Sequence, residues 1–167
     1  TINDMQNVET EEEIEPDINI PVEAYIPGEY IPATSLRLMF YKRMSLAQSH
    51  AELFEIFDEL VDRFGAPPEV VLNLRELLAV KVGCRTIRAR RLDTGPSAIR
   101  VSLAESTPLR PEQLVEFADE TQGRLEIDRD MNLLYSLKPE ESEEPLETTR
   151  QFVDRLVQMT GTDPHDE

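Results

Sequence analysis

The sequence predicts an α+β domain in which a small antiparallel sheet of hairpins packs against several helices. Two observations support this class. Apolar residues recur at helical spacing from Leu36 to Val82, and apolar and polar residues then alternate at strand spacing from Ile87 to Leu103. The predicted order is three helices, a hairpin, a helix, a second hairpin and a C-terminal helix.

The chain begins with a predicted strand and a turn-rich segment. Apolar residues alternate at positions 18, 20, 22, 24 and 26, which is typical of a strand. Pro21 removes a ladder donor, so this strand must lie at a sheet edge or run beside the core. Residues 25–32 (YIPGEYIP) then supply turns with aromatic anchors.

The three predicted helices have recognisable ends. The first carries Leu36, Phe40 and Met44 at helical spacing. Ser49 followed three residues later by Glu52 fits a capping box for the second helix, and Gly65 is a natural left-handed stop after it. Pro68 is expected to open the third helix at its first position, and Gly83 is expected to close it.

The second half alternates hairpins with helices. Residues 93–96 (DTGP) predict a turn between two strands. A helix is expected from about Pro111 to Gln122, and a second hairpin turns near Asp130. Residues 140–144 form an acidic link, after which Pro145 opens the last helix, which runs to Gly161.

Charge is concentrated at the two ends of the chain. The net charge is −17 over 167 residues, and residues 1–36 hold nine acids and no base. Residues 138–167 hold nine acids and three bases, whereas residues 37–137 are nearly balanced. Such a chain repels nucleic acid and anionic membranes, so an extended DNA-binding surface is not expected.

Composition also predicts the domain limits and the compartment. We expect a disordered acidic linker at 1–17, one domain at 18–160 and a flexible tail at 161–167. The single Cys84 excludes an internal disulfide and suits a reducing cytoplasm. No apolar run reaches the length of a membrane span. Because the chain starts at Thr1, we expect a mature product or an excised piece of something longer.

No catalytic, cofactor-binding or metal-binding residues are predicted. None of the six glycines is followed by lysine, so a phosphate-binding loop is missing. Cys84 has no second thiol, and the two histidines, His50 and His165, lie at a helix start and in a tail. Asp128 and Asp130 lie in a turn without further oxygen ligands, which favours turn chemistry over an ion site.

One helix presents a row of carboxylates. Glu52, Glu55, Glu59 and Asp62 follow at spacings of three, four and three, with Asp58 beside them, and no Lys or Arg lies between residues 44 and 62. Like charges at these spacings cost a helix about 0.2–0.5 kcal/mol per pair. The row is therefore either a solvated face or a surface for a basic partner.

A basic cluster follows the third helix. Its members are Lys81, Arg85, Arg88, Arg90 and Arg91. The cluster is either a helix C-terminus that favours cations followed by a solvated strand, or a docking surface for an acid or a phosphate. It has no interleaved aromatics, so it does not predict a stacking platform for single strands.

Several motifs in this order resemble a known family. They are YIPGEYIP at 25–32, LRL at 36–38, YKR at 41–43, ELVDRFG at 59–65 with Pro67, and NL at 73–74. The chain resembles the C-terminal domain of bacterial transcription-repair coupling factors over about residues 18–160. Residues 1–17 resemble the acidic link from the preceding translocase module.

The resemblance implies a regulatory role without catalysis in this domain. In that family the whole protein is an ATP-driven DNA translocase that pushes stalled RNA polymerase and recruits excision repair. The C-terminal domain folds back on a UvrB-like N-terminal module and covers the surface that binds UvrA. ATP and Mg then belong to the translocase module, which this chain does not contain, and this domain has no cofactor of its own.

The resemblance also implies two contact residues, Glu59 and Asp62, which occupy the acidic positions of the family motif. Helix geometry adds Glu52, Glu55 and Arg63 as further contact candidates. The alternative function is an accessory nucleic-acid contact through the basic cluster from Lys81 to Arg91. A third class, an independent small enzyme, has no residue constellation in its support.

Overall fold

The computed structural model describes residues 14–161 and confirms the predicted α+β class. The elements follow the predicted order; the first strand is shorter than predicted, and a one-turn helix is present in addition. In chain order they are β1 (Asp17–Asn19), α1 (Thr34–Ser45), α2 (His50–Phe64), α3 (Glu69–Thr86), β2 (Ala89–Thr94), β3 (Ala98–Leu103), α4 (Pro111–Glu120), β4 (Leu125–Ile127), β5 (Asn132–Ser136), α5 (Pro139–Ser142) and α6 (Pro145–Met159).

Five strands form one sheet in the order β1-β2-β3-β5-β4. Both predicted hairpins are present, β2 with β3 and β4 with β5, and β3 pairs antiparallel with β5 to join them. Strand β1 lies at the edge and pairs parallel with β2. It ends two residues before Pro21, so the predicted strand over 18–26 is shortened, because proline cannot continue the ladder.

The apolar residues form two cores, and α3 contributes to both. The first core lies between the helical face of the sheet and α4, α6 and the end of α3. The second lies between α1, α2, the start of α3 and the segment at 26–31. Helix α3 places Leu78 and Val82 in the second core and Val80 and Cys84 in the first.

The prediction that Gly83 ends the third helix is wrong. Helix α3 continues to Thr86, and Gly83 is buried inside it. A Cβ atom on Gly83 would lie 2.6 Å from Cγ1 of Val153 in α6, a distance that real Cβ contacts essentially never show. The glycine is therefore needed for the close approach of α3 to α6.

The predicted ends of α2 are confirmed. The Ser49 Oγ accepts a hydrogen bond from the Glu52 N–H at 3.1 Å, and the Glu52 carboxylate accepts one from the Gln48 N–H at 3.0 Å. Gly65 ends the helix as predicted, but its φ of 88° and ψ of −167° differ from the left-handed helical conformation that the sequence predicted. This backbone conformation is essentially restricted to glycine, so the α2 stop depends on that residue.

The folded part begins earlier than the predicted boundary at residue 17. Ile14 is only 8% exposed, and residues 14–17 lie against the domain. The rest of the predicted linker, residues 1–13, and residues 162–167 of the predicted tail lie outside the described residues. The acidic link at 140–144 is partly helical in α5. Between residues 14 and 161, no helix combines the length and the apolar character needed to cross a membrane.

The close contact at Gly83 generates a prediction about stability. Gly83→Ala should lower the free energy of unfolding by about 1–3 kcal/mol, the usual cost of overpacking a core. Urea unfolding followed by circular dichroism measures this. Gly95→Ala is the matched control, since a Cβ at Gly95 would lie 3.6 Å from the Ala98 carbonyl, an ordinary contact. Equal midpoints for the two variants would contradict the packing argument.

Candidate functional site

Helix α2 exposes the predicted carboxylates along one side. Its inner side is buried through Leu53, Ile56, Phe57 and Leu60. The opposite side carries Glu52, Glu55, Glu59 and Asp62, which we call the acidic face; Glu59 is half-buried and the other three are exposed. The structure therefore brings the predicted contact residues together on one accessible surface.

The sequence around Glu59 suggested that this carboxylate lacks a nearby cation, but the fold places two arginines beside it. Arg43 from α1 donates two hydrogen bonds to its carboxylate, at 2.7 Å to Oε2 and 3.1 Å to Oε1. Arg63, one turn later in α2, lies 3.9 Å from the same Oε2. The packing of α1 against α2 supplies the cation that the 44–62 stretch lacks.

Both arginines pack against aromatic rings. The guanidinium carbons of Arg43 and Arg63 lie 5.5 and 5.6 Å from the centroid of the fully buried Phe40 ring. Arg63 also lies 5.3 Å from the ring centroid of Phe64. Cations at such distances are attracted to the ring face. Glu59 is thereby held in one orientation by two anchored cations.

This arrangement lowers the pKa of Glu59. The hydrogen bond from Arg43 is the main cause, and the charges of Arg43 and Arg63 act in the same direction. Partial desolvation of the carboxyl group opposes them without reversing the direction. Glu59 is therefore a firmly ionised group at neutral pH.

Two other carboxylates of the acidic face have no partner within the described residues. Within residues 14–161, the side chains of Glu55 and Asp62 are exposed and make no hydrogen bond or ion pair. Glu52 is also exposed, although one of its oxygens caps the start of α2. The acidic face thus combines one oriented carboxylate with two unpaired carboxylates.

Sequence reasoning missed two residues of this surface, Arg43 and Leu46. A shallow groove between α1 and α2 is lined by Arg43, Leu46, Glu52, Glu55, Ile56 and Glu59. Leu46 is 56% exposed there, beside four charged side chains. The sequence signal was limited to their position: Arg43 lies in the last turn of α1, and Leu46 directly follows that helix.

The five residues of the basic cluster differ in their burial and in their contacts. Lys81 and Arg85 both contact Glu15, at 2.5 and 3.2 Å, and Arg85 also donates to the Ser45 and Ala47 carbonyls at 2.7 Å each. The side chains of Lys81 and Arg85 are only 17% and 13% exposed. These two cations are thus part of the folded framework.

The remaining three arginines follow α3 into β2. Arg91 pairs with Asp93 at 2.6 Å and with Asp17 at 3.4 Å. Arg88 has a positive φ of 56° and donates to the Ser106 hydroxyl at 2.6 Å. Arg90 is exposed. A nucleic-acid contact through this cluster stays a prediction.

The isolated reactive residues occupy structural positions. Burial raises the pKa of the Cys84 thiol to about 12, which disfavours the nucleophilic thiolate. His50 is buried at the start of α2, 6.0 Å from the Phe54 ring. His165 lies outside the described residues. In residues 14–161, no three His, Cys, Asp or Glu side chains are grouped as a metal site would require.

Asp128 closes the turn between β4 and β5. Its carboxylate accepts hydrogen bonds from the Asp130 and Asn132 backbone N–H groups, at 2.8 and 3.0 Å, and from the Asn132 side chain at 2.9 Å. The backbone hydrogen bond from Asn132 is the main cause that lowers the pKa of Asp128. The geometry agrees with the predicted turn chemistry.

These features define an α+β domain with an exposed acidic helix, and comparisons with known proteins identify its family. The family model of the TRCF domain matches residues 20–114. The transcription-repair-coupling factor of Myxococcus xanthus is 33% identical over 133 residues, covering 80% of this chain and 11% of that protein. The Escherichia coli (strain K12) protein of the same name is 26% identical over 147 residues, covering 88% and 13% respectively.

A solved structure agrees in fold. The crystal structure of the C-terminal domain of transcription-repair coupling factor superposes with a TM-score of 0.73 at 23% identity, covering 89% of this chain and 95% of that chain. The chain belongs to the TRCF domain family, which confirms the resemblance found in the sequence motifs. It spans only about a tenth of the length of these two curated relatives.

The cation pair at Glu59 generates a prediction about pH dependence. Replacing Arg43 with Gln should return the Glu59 pKa toward its ordinary value of 4.5, as followed by carbon NMR of the carboxyl group. A lowered folded-state pKa stabilises the fold above the unfolded-state pKa, and this contribution is lost as pH falls through the folded-state pKa. The difference in unfolding free energy between wild type and variant should be largest near about pH 7 and shrink below about pH 4.

Asp128 is the internal control for this titration. Its pKa is lowered by contacts within its own turn, so Arg43→Gln should leave it unchanged. A Glu59 pKa that is identical in wild type and variant would show that Arg43 does not control this carboxylate.

Proposed function

We propose that this chain is a regulatory, autoinhibitory protein-interaction domain of a transcription-coupled DNA repair translocase. Its acidic face covers the UvrA-binding surface of a UvrB-like N-terminal module of the same protein. The observation that supports this is the pair of exposed carboxylates, Glu55 and Asp62, which have no partner within residues 14–161 and lie beside the oriented Glu59. The name of the matched relatives, transcription-repair-coupling factor, supports the assignment to transcription-coupled repair.

The domain acts in this proposal by covering a neighbour, with catalysis left to other modules. ATP and Mg serve the translocase module, and this domain holds neither. UvrA and RNA polymerase are indirect partners, and DNA is engaged by the rest of the protein. The setting is the bacterial cytoplasm.

The acidic face suits a contact that opens and closes. An exposed ion pair contributes only about 0–1 kcal/mol, so two or three such pairs form a weak latch. Tethering both surfaces in one chain raises their effective concentration, so a weak latch can still be mostly closed. A competing partner then shifts the equilibrium between the closed and the open state of the latch, which differ in free energy by a few kcal/mol.

The pairing of Glu59 with Arg43 is compatible with this contact. A carboxylate offers about four lone-pair sites, and the two hydrogen bonds from Arg43 leave room for a cation from a partner. Because Arg43 already orients Glu59, less side-chain entropy is lost when the partner binds. Arg43 therefore positions the contact residue.

Removing the two family contact acids tests the latch. In the full-length protein, Glu59→Ala with Asp62→Ala should weaken closure by roughly 2- to 30-fold, as expected for losing two exposed ion pairs. UvrA binding to the full-length protein should rise accordingly, because its surface is uncovered. Isothermal titration or a pull-down with purified UvrA measures the change.

The matched control removes two other acids with the same spacing. Glu116 and Asp119 in α4 are exposed and have no partner within residues 14–161. Glu116→Ala with Asp119→Ala changes the net charge equally and should leave UvrA binding unchanged. Equal UvrA binding by wild type and the Glu59/Asp62 double variant would exclude the latch.

A second measurement addresses the partner directly. This chain should bind the purified UvrB-like module in a pull-down at low salt and lose much of that binding at high salt, since exposed ion pairs are screened. Binding that is absent at both salt concentrations would contradict the proposed partner.

A further inference from the structure

Residues 14–20 form an amphipathic extended segment, which we call the strap. The even positions face the domain: Ile14, Pro16 and Ile20 are buried and Ile18 is half-buried. The odd positions, which face outward, are Glu15, Asp17 and Asn19. This alternation with a period of two residues is typical of a half-buried strand, although only Asp17–Asn19 pairs with the sheet.

Each outward residue of the strap makes a polar contact. Glu15 lies 2.5 Å from Nζ of Lys81 and 3.2 Å from Nη2 of Arg85. Asp17 lies 3.4 Å from Nη1 of Arg91, and Asn19 donates to the Asp93 carboxylate at 3.0 Å. The two acids of the strap thus satisfy three of the five cations of the basic cluster.

Glu15 is the counter-charge of Lys81. The Lys81 side chain is only 17% exposed, and Glu15 is its one ion-pair partner within residues 14–161. Without Glu15, this mostly buried side chain would have no counter-charge from residues 14–161 beside its ammonium group. If the strap leaves, Lys81 therefore becomes a site that favours another anion. The same contacts lower the pKa of Glu15, chiefly through the hydrogen bond to Lys81.

The strap is attached to the domain partly through a short edge strand and exposed ion pairs. Its strand is three residues long, lies at the sheet edge and has β2 as its one neighbour. The acids are mostly in solvent, with Glu15 66% and Asp17 60% exposed, so salt screens their pairs. A segment with solvent-exposed polar contacts can open separately from the global fold, and opening of the strap exposes Ile14, Pro16 and Ile20.

We propose that Lys81, Arg85 and Arg91 form a receptor site for an extended acidic polypeptide segment. In this structure the chain's own strap occupies that site. When the strap detaches, an acidic segment of another protein takes its place. The extended form of the present occupant, with acids two residues apart, is the reason for choosing a polypeptide over a nucleic acid. The inference does not depend on the acidic face.

Hydrogen–deuterium exchange of the whole chain tests the opening of the strap. Glu15→Gln should speed exchange of the peptide covering residues 14–22 about three- to tenfold, as expected for losing one or two partly exposed ion pairs. Raising the salt concentration should speed the wild type similarly. Glu23→Gln, which removes an exposed acid without a partner in residues 14–161, is the matched control. Unchanged exchange in Glu15→Gln would overturn the proposal.

A binding experiment tests whether the receptor site binds an acidic segment, with fluorescein-labelled deca-glutamate as the probe. At low salt, Glu15→Gln combined with Asp17→Asn should bind the probe about tenfold more tightly than wild type, because the competitor is weakened. Adding Lys81→Gln or the more exposed Arg91→Gln to that variant should weaken probe binding again.

Three outcomes of the binding experiment would overturn the proposal. One is equal probe affinity for wild type and the strap variant, and another is no probe binding by either. The third is tighter binding of a ten-residue oligothymidylate than of deca-glutamate by the strap variant, which would assign the cluster to nucleic acid instead.

Discussion

The requirement that α3 pack on two sides at once is the constraint on which the rest of the structure depends. Its 18 residues span about 27 Å, long enough to cross from one core to the other. Leu78 packs in the second core and Val80 in the first, so α3 joins the two cores. Gly83 allows α6 to approach it closely, and Arg150 of α6 pairs with Glu76 of α3 at 2.8 Å.

This shared helix gives the acidic face a rigid support. Helix α2 packs on α3, and the Arg75 guanidinium of α3 lies 4.9 Å from the Phe57 ring centroid. The far end of α2 is held by Tyr30, whose hydroxyl donates to the Gly65 carbonyl at 2.6 Å. Because α2 is packed at its middle and held at its C-terminal end, its carboxylates keep their spacing and the acidic face is preformed.

Opposite charges are distributed so that the domain satisfies some of them and displays others. Glu15 and Asp17 of the strap occupy cations at the end of α3 and in β2. Asp62 and Glu55 have no such cation within residues 14–161 and remain on display. The net charge of the chain is a poor guide to either surface, since pairing in the folded state decides which charges a partner can meet.

The sequence by itself determined the features that depend on neighbours a few residues apart. The ends of α2 at Ser49 and Gly65, the two hairpins and the shared side of Glu52 and Asp62 all follow from local periodicity and capping. Tertiary structure decided what depends on distant pairs. The hydrogen bonds between Arg43 and Glu59 join residues that are 16 positions apart. The parallel pairing of β1 with β2 joins segments that are more than 70 positions apart. The need for a glycine at position 83 comes from Val153 in another helix. Local patterns carry no information about such partners, because the partners meet only when the two cores close around α3.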